Sequence, residues 1–225
     1  MVQKSIPAKS KAQKPARKPV ERRQTWEVAY LFPEQGEWTK ADFLALDSIH
    51  NGFPLIELSD GRLDVLPMPT EIHQLIGLLF LELLKDFVVR HAPGVVLYNG
   101  MRLRLKNGKK ARFRDPDVMY MKAENAHRRH NEYWDGADLV MEVVSKGSED
   151  QERDLVTKPR EYAQAQIPEY WIINPYERYV RVLTLDGSTY KLHGEFGPGK
   201  TATSVLLPGF AVSVDTLLTP PGSQA

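Results

Sequence analysis

The chain reads as a mixed α/β protein, of α/β or α+β type, in which a central mixed β-sheet is flanked by helices and supplemented by β-hairpins. Three observations predict it. Two helix-length segments, at Thr70–Arg90 and Ser148–Gln166, have strands on both sides of them. Short β-prone runs recur between them. Compact turn signals, Ser59-Asp60-Gly61, Asn107-Gly108 and Asp186-Gly187, join several of these runs into hairpins.

In chain order, Thr39–Ile49 has the pattern of a short amphipathic helix, and Leu55–Leu58 with Arg62–Leu66 forms the first hairpin. Thr70–Arg90 is apolar at most positions, which predicts a largely buried helix ending before Pro93-Gly94. Val95–Leu105 and Ala111–Phe113 flank the Asn-Gly turn, and Val118–Met121 continues as a strand. After a polar stretch, Leu139–Val144 reads as a central strand interrupted by one acid, Glu142. Ser148 and Gln151 have capping-box spacing and open a polar helix to about Gln166. Glu169–Ile173, the hairpin Tyr179–Leu185 with Ser188–Leu192, Val205–Leu207 and Ala211–Val214 complete the strands.

With no cysteine, disulfides, thiolate zinc sites and cysteine nucleophiles are excluded, and a metal site has to use carboxylates, histidines and carbonyls. No apolar run has a membrane-spanning length, and the basic N-terminus lacks the apolar core of a secretory signal, so a soluble, cytoplasmic protein is expected. The net charge of +1 hides an asymmetry. Residues 1–24 hold eight Lys or Arg against Glu21 alone, about +7, which leaves about −6 for the rest (22 basic, 28 acidic). Residues 1–24 therefore read as a disordered basic tail able to attract polyanions, or as a solubilising extension, and 219–225 as a flexible C-terminal tail.

Asp115-Pro116-Asp117 opens a strand, and Glu142 lies 25 positions beyond Asp117 in an apolar one, so the two acids converge if the strands are neighbours. A carboxylate in a buried strand needs a compensating cation or hydrogen bonds. Mg²⁺ accepts one or two carboxylates and keeps several waters, and phosphodiester hydrolysis uses such an ion. Glu142, Val144 and Lys146 share one strand face, and the Val144 carbonyl is a candidate third metal ligand. A lysine at Val144 would be the usual charge-stabilising group of such a site. Lys158 on the next helix is the first candidate to replace it and Lys146 the second.

Leu55-Ile56-Glu57-Leu58-Ser59-Asp60-Gly61, His73, Asp115-Pro116-Asp117-Val118, Asp138–Ser145, Lys158 and Glu169–Pro175, in that order and spacing, resemble the Uma-two family of restriction endonucleases, within the PD-(D/E)XK nuclease superfamily. The match runs over roughly residues 38–218. It implies a restriction endonuclease-like domain, taken as 25–218, and a metal-dependent endonuclease acting on phosphodiester bonds of nucleic acid, DNA foremost. It further implies Mg²⁺, with Mn²⁺ as a substitute, on Asp117, Glu142 and the Val144 carbonyl, with Lys158 as a migrated catalytic lysine. Glu57 and His73 match the family's hairpin acid and helix histidine as supporting residues. A homodimer would suit cleavage of both strands. Two departures stand out: Ser145-Lys146-Gly147 replaces the frequent Ser-Pro, and Pro159 biases Lys158 away from α geometry and predicts a kink.

Each residue has a plainer reading. Asp117 is also a turn aspartate, Glu142 a buried salt-bridge partner, Lys158 a solvated helix lysine, His73 a residue bonded to local backbone and Glu57 a surface acid. Arg102, Arg104, Arg112 and Arg114 alternate along a hairpin as a candidate nucleic-acid-binding stripe, or as a solvated face. His127 and His130 read as loop residues, and Tyr170, Trp171, Tyr176 and Tyr179 as core aromatics. The competing function is a catalytically weak nuclease fold serving as a nucleic-acid-binding or protein-interaction module.

Overall fold

The computed structural model describes residues 33–49, 56–105 and 110–223. The tail expected at 1–24, the Asn107-Gly108 turn and the last two residues lie outside them.

Helix α1 (Lys40–Ile49) leads to the hairpin β1 (Ile56–Ser59) and β2 (Arg62–Val65), where Asp60 and Gly61 both take positive φ, as a tight turn requires. Helix α2 (Glu71–His91) is capped by Thr70, whose side chain accepts from the His73 amide. Its buried residues Ile76, Gly77, Phe80, Leu84 and Val88 form one stripe. Val89 is 82% exposed and Leu78 also faces solvent, so the helix is amphipathic rather than enclosed. The apolar density of its sequence overstated its burial, because only one sheet face is available to cover it.

Next come β3 (Gly94–Tyr98), β4 (Arg102–Leu105), β5 (Arg112–Arg114), β6 (Val118–Lys122), a 3₁₀ turn (Ala123–Arg128), β7 (Tyr133–Asp135) and β8 (Leu139–Val143). The stretch expected as one strand from Val95 to Leu105 is therefore two strands, broken at Gly100, whose φ is positive. They belong to different sheets: one has the order β2-β1-β5-β4-β7, the other places β3 beside β6. The short β7, absent from the sequence reading, pairs parallel to β4.

Helix α3 (Ser148–Glu152), a π-helical segment (Arg153–Thr157) and helix α4 (Lys158–Gln164) make one continuous helical run. Then follow β9 (Glu169–Asn174), β10 (Tyr179–Asp186), β11 (Thr189–Phe196), β12 (Thr201–Thr203), β13 (Ala211–Ser213) and α5 (Val214–Leu218). The main sheet has the order β11-β10-β9-β8-β6-β3, with β8 and β9 parallel and the other pairs antiparallel.

Both faces of this sheet are covered, which explains why β8 and β9 are buried at every position. On one face Val118, Tyr120, Leu139, Met141, Val143, Trp171 and Ile173 pack against Ile76, Phe80, Leu84 and Val88 of α2. Phe80 meets Trp171 edge-on at 5.3 Å between ring centroids. On the other face Met119, Met121, Val140, Val144, Tyr170 and Ile172 pack with Leu103, Leu105 and Trp134 of the smaller sheet and Tyr162 of α4. No helix among the described residues is long and apolar enough to cross a membrane.

Val205–Leu207, expected as a strand, is instead a loop. Buried Glu169 holds it by accepting from the amides of Val205 (2.7 Å) and Leu206 (2.8 Å), and also from Ser204 Oγ and Trp171 Nε1. Glu169→Ala orphans all four donors and is expected to lower unfolding stability by about 3 kcal/mol. Urea denaturation followed by tryptophan fluorescence measures it, and a loss below about 1 kcal/mol contradicts this role.

Candidate active site

The antiparallel β6–β8 pairing sets Val118 against Met141, and one step further in that register Asp117 stands opposite Glu142. Neighbouring strands thus bring together the two acids that lie 25 positions apart in the chain. Both border a cleft of about 250 Å³ at the ends of β6 and β8, with His73, Asp115, Asp154, Lys158 and Lys146 also on its walls. Asp117 Oδ2 accepts from the Val143 amide at 2.7 Å, and Oδ1 lies 2.9 Å from His73 Nε2. His73 is in the first turn of α2, so the Thr70 cap that starts the helix also places this imidazole. Burial works against its protonated form, but the hydrogen bond and charge of Asp117 raise its pKa.

Lys158 opens α4 and is buried, with Nζ 2.8 Å from Glu142 Oε2 and 3.3 Å from Asp154 Oδ1. Its backbone is α-helical, at φ −60° and ψ −45°, against the expectation drawn from Pro159. The π-helical turn before it supplies the reason. A proline in a helix lacks its own N–H and clashes with the carbonyl four residues back, and a widened turn relieves both. The chain absorbs Pro159 by widening at Arg153–Thr157 rather than by kinking away, and Lys158 keeps its aim.

Glu142 also accepts from Tyr162 Oη at 2.6 Å. Burial raises its pKa well above the ordinary carboxylate range, the charges of Asp117 and Asp154 add to that, and Lys158 only partly offsets them. Lys158 stays protonated: burial opposes its charge, but Glu142, Asp154 and Glu57 outweigh it. Asp115 is pushed up to about 6, chiefly by burial, while its Oδ1 accepts from the Gly100 amide.

The remaining residues singled out in the sequence divide. Glu57 is not a surface acid: it is buried, pairs with Arg114 at 2.6 Å and accepts from the Asp115 amide, so it supports the cleft wall from behind. The arginines form no phosphate-facing stripe. Arg114 is enclosed between Glu57 and Glu161, Arg112 pairs with Asp60 and Glu161, Arg104 pairs with Asp135, and Arg102 lies over the Phe43 ring. Strand alternation aligned them, but the facing elements carry acids and aromatics that occupy them. Lys146 is exposed on the cleft rim. His127 is exposed and His130 lies beside Asp135, away from the cleft. Tyr170, Trp171 and Tyr179 are core residues, whereas Tyr176 is exposed at the cleft mouth.

Backbone direction argues against the Val144 carbonyl, expected from the sequence as a metal ligand. In extended backbone a residue's N–H and C=O lie on the same side. Val144, the residue after β8, donates to the Ile173 carbonyl on β9, and extended backbone continued to that residue directs its own carbonyl to β9 as well. Val143 is in β8, borders the cleft and gives its amide to Asp117, so by the same rule its carbonyl is directed to the Asp117 side. Three buried groups escaped the sequence reading: Asp154, Tyr162 and Glu161. Asp154, Lys158 and Tyr162 are spaced four apart, a one-face helical pattern that was available as a signal.

Among the described residues no three acid or histidine side chains have the spacing of a closed metal cage. A hard divalent ion does not need one, since one or two carboxylates with a carbonyl and waters suffice. The donor chemistry fits: Glu142 resists ionising chiefly because it is buried, with Asp117 and Asp154 adding to that against Lys158, and a divalent cation supplies positive charge that favours its ionised form.

A mixed sheet with a helix on one face, a smaller sheet on the other and two strand-end acids beside a helix lysine defines a nuclease-type α/β fold. The pattern of the Uma2 family, described as "Putative restriction endonuclease", matches residues 41–215, and the chain belongs to that family. The fold is similar to the crystal structure of a nuclease, titled as putative and belonging to DUF820, from Anabaena variabilis ATCC 29413. The TM-score is 0.59 at 16% identity, over 80% of this chain and 97% of that one. No curated protein matches the chain.

The raised groups set a pH dependence. A carboxyl whose folded pKa lies above its unfolded value loses stability as pH rises through that folded pKa, which applies to Asp115 and Glu142. His73, also raised, contributes stability below its unfolded pKa and loses it as pH climbs through the folded one. Glu57 and Asp154 are lowered, so their contribution is lost only in acid. Without divalent cation, the urea midpoint should therefore fall between pH 6 and pH 8, and Glu142→Gln should flatten that fall. A midpoint rising over this interval contradicts the assignment.

Proposed function

We propose that the protein is a divalent-cation-dependent endonuclease that hydrolyses phosphodiester bonds of nucleic acid, with DNA as the first substrate to test. One observation carries the reading: Asp117, Glu142 and Lys158 share one cleft, with the lysine nitrogen 2.8 Å from the glutamate. Membership in a family described as restriction endonucleases supports it. Asp117 and Glu142 would hold Mg²⁺ or Mn²⁺, with the Val143 carbonyl as the backbone ligand in place of Val144.

Such an ion, when bound, neutralises phosphate charge and lowers the pKa of the attacking water. The chain's own groups supply the rest. His73 and the Val143 amide fix the Asp117 carboxylate, and Tyr162 fixes that of Glu142. Lys158 keeps its proton at neutral pH and sets a full positive charge where charge accumulates on the scissile phosphate. Lys146 at the rim meets an adjoining phosphate, and the basic residues of 1–24 add attraction without sequence preference.

Purified protein is expected to nick supercoiled plasmid with Mn²⁺ or Mg²⁺ and to stop in EDTA. Glu142→Gln and Lys158→Met should each slow cleavage at least about 10²-fold with the circular dichroism spectrum retained. Cleavage that survives Glu142→Gln sinks the assignment.

Cation affinity should rise from pH 6 to pH 8, because binding requires ionised Glu142 and releases its proton. Calorimetric Mn²⁺ titrations in buffers of different ionisation enthalpy measure that release, and a pH-independent affinity argues against Glu142 as a ligand.

A further inference from the structure

Asp154 is a buried acid on the cleft wall, and no step above uses it. It sits in the π-helical segment one helical step before Lys158, and its two oxygens are unequally engaged. Oδ2 accepts from the Ser145 amide at 3.1 Å, which ties the acid to the chain just beyond β8. Oδ1 lies 3.3 Å from Lys158 Nζ and 3.4 Å from Arg153 Nε, yet among the described residues it accepts no hydrogen bond. The Arg153 guanidinium makes its closer contact to Asp150, at 2.7 Å. A buried acceptor left open calls for an explanation, and the nearest donor already carries a charge.

Lys158 faces the complementary difficulty. Its shortest contact is to Glu142 Oε2, on the carboxyl that the proposed function gives to a cation. A buried ammonium stripped of its carboxylate would be left uncompensated, at a cost large enough to resist the exchange. Asp154 removes that obstacle, because its open Oδ1 is already 3.3 Å from the same nitrogen.

We propose that Asp154 is a positioning residue to which Lys158 is handed when Glu142 gives its charge to a bound divalent cation. The inference rests on the proposed function. The lysine begins between Glu142 and Asp154, the short contact to Glu142 lengthens as that group takes the cation, and the Asp154 contact shortens to a hydrogen bond. Lys158 thus stays charged and ordered at the cleft whether or not Glu142 is engaged elsewhere. The Ser145 amide holds Asp154 in place during the exchange, so only the ammonium moves.

A double-mutant cycle tests it on the full chain, with calorimetric Mn²⁺ affinity and steady-state cleavage as readouts. Asp154→Asn keeps the size of the side chain and removes its charge. It should weaken Mn²⁺ binding and lower kcat, each by about 10- to 100-fold, the usual effect of losing the partner of a site residue, with KM changed less than about twofold. In a Lys158→Met background the same substitution should change Mn²⁺ affinity by less than about twofold, since no ammonium remains to be handed over.

An equal loss in both backgrounds overturns the proposal, because Asp154 would then act on the cation directly. Wild-type behaviour of Asp154→Asn overturns it too. If Asp154→Asn does not fold, Asp154→Ser is measured in the same cycle against the same criteria. Wild-type protein that neither binds Mn²⁺ nor cleaves DNA refutes the nuclease reading itself, and the hand-over with it. An active wild type with an unaffected Asp154→Asn refutes the hand-over alone.

Discussion

A carboxylate at the covered end of β8 is costly unless other groups answer it, and much of the surrounding structure does so. Glu142 lies in a strand whose other residues are apolar and whose two faces are both packed. Removing an ionised group from water costs several kcal/mol even after relaxation, so its partners have to be close and well oriented. Lys158 and Tyr162 provide them from one face of α4. That requirement fixes where α4 must lie and explains why the helix widens before Pro159 instead of bending away.

The placement of α4 depends in turn on a second buried charge network. Arg114 on β5 is held between Glu57 on β1 and Glu161 on α4, which joins the smaller sheet to the helix that carries Lys158. Breaking such a network by removing one member leaves an uncompensated charge, a loss of several kcal/mol. Glu57 therefore serves the cleft without bordering it. Several other buried or half-buried acids have a common task. Asp117, Asp138, Asp154 and Glu169 each accept a backbone N–H at the end of a strand or in an adjoining loop. Acids are cheap to bury where they satisfy donors that a strand end leaves over.

This use of charge bears on how nucleic acid would be held. The hairpin arginines are spent on internal acids and on a ring, so they are not available as a phosphate-binding surface. Cations at the cleft are few: Lys158 is buried in its wall, Arg153 is paired with Asp150, and Lys146 stands at its rim. In the proposed function, positive charge beyond these comes from a bound metal and from the basic N-terminal residues. Contacts of that kind position a phosphate without reading a base sequence.

Periodicity and turn chemistry are local properties, and they were legible. The helices at 40–49 and 71–91, the hairpins at Asp60-Gly61 and Asp186-Gly187, and the apolar strand around Glu142 all follow from residues near one another in the chain. Asp117, Glu142 and Lys158 stood out because each broke a local pattern or matched an ordered family resemblance. What lay opposite each side chain could not be read that way. Alternation lined up four arginines, but only the fold put Glu57, Glu161 and Asp135 against them. Apolar density suggested an enclosed α2, yet the sheet offers it a single face. Pro159 argued for a displaced Lys158, and a π-helical turn absorbed the strain. The sequence by itself determined which residues could carry charge chemistry and where most of the helices and strands lie. Partners for those charges, and the direction of each carbonyl, were decided only by the tertiary structure, because burial and hydrogen-bond direction depend on elements far apart in the chain.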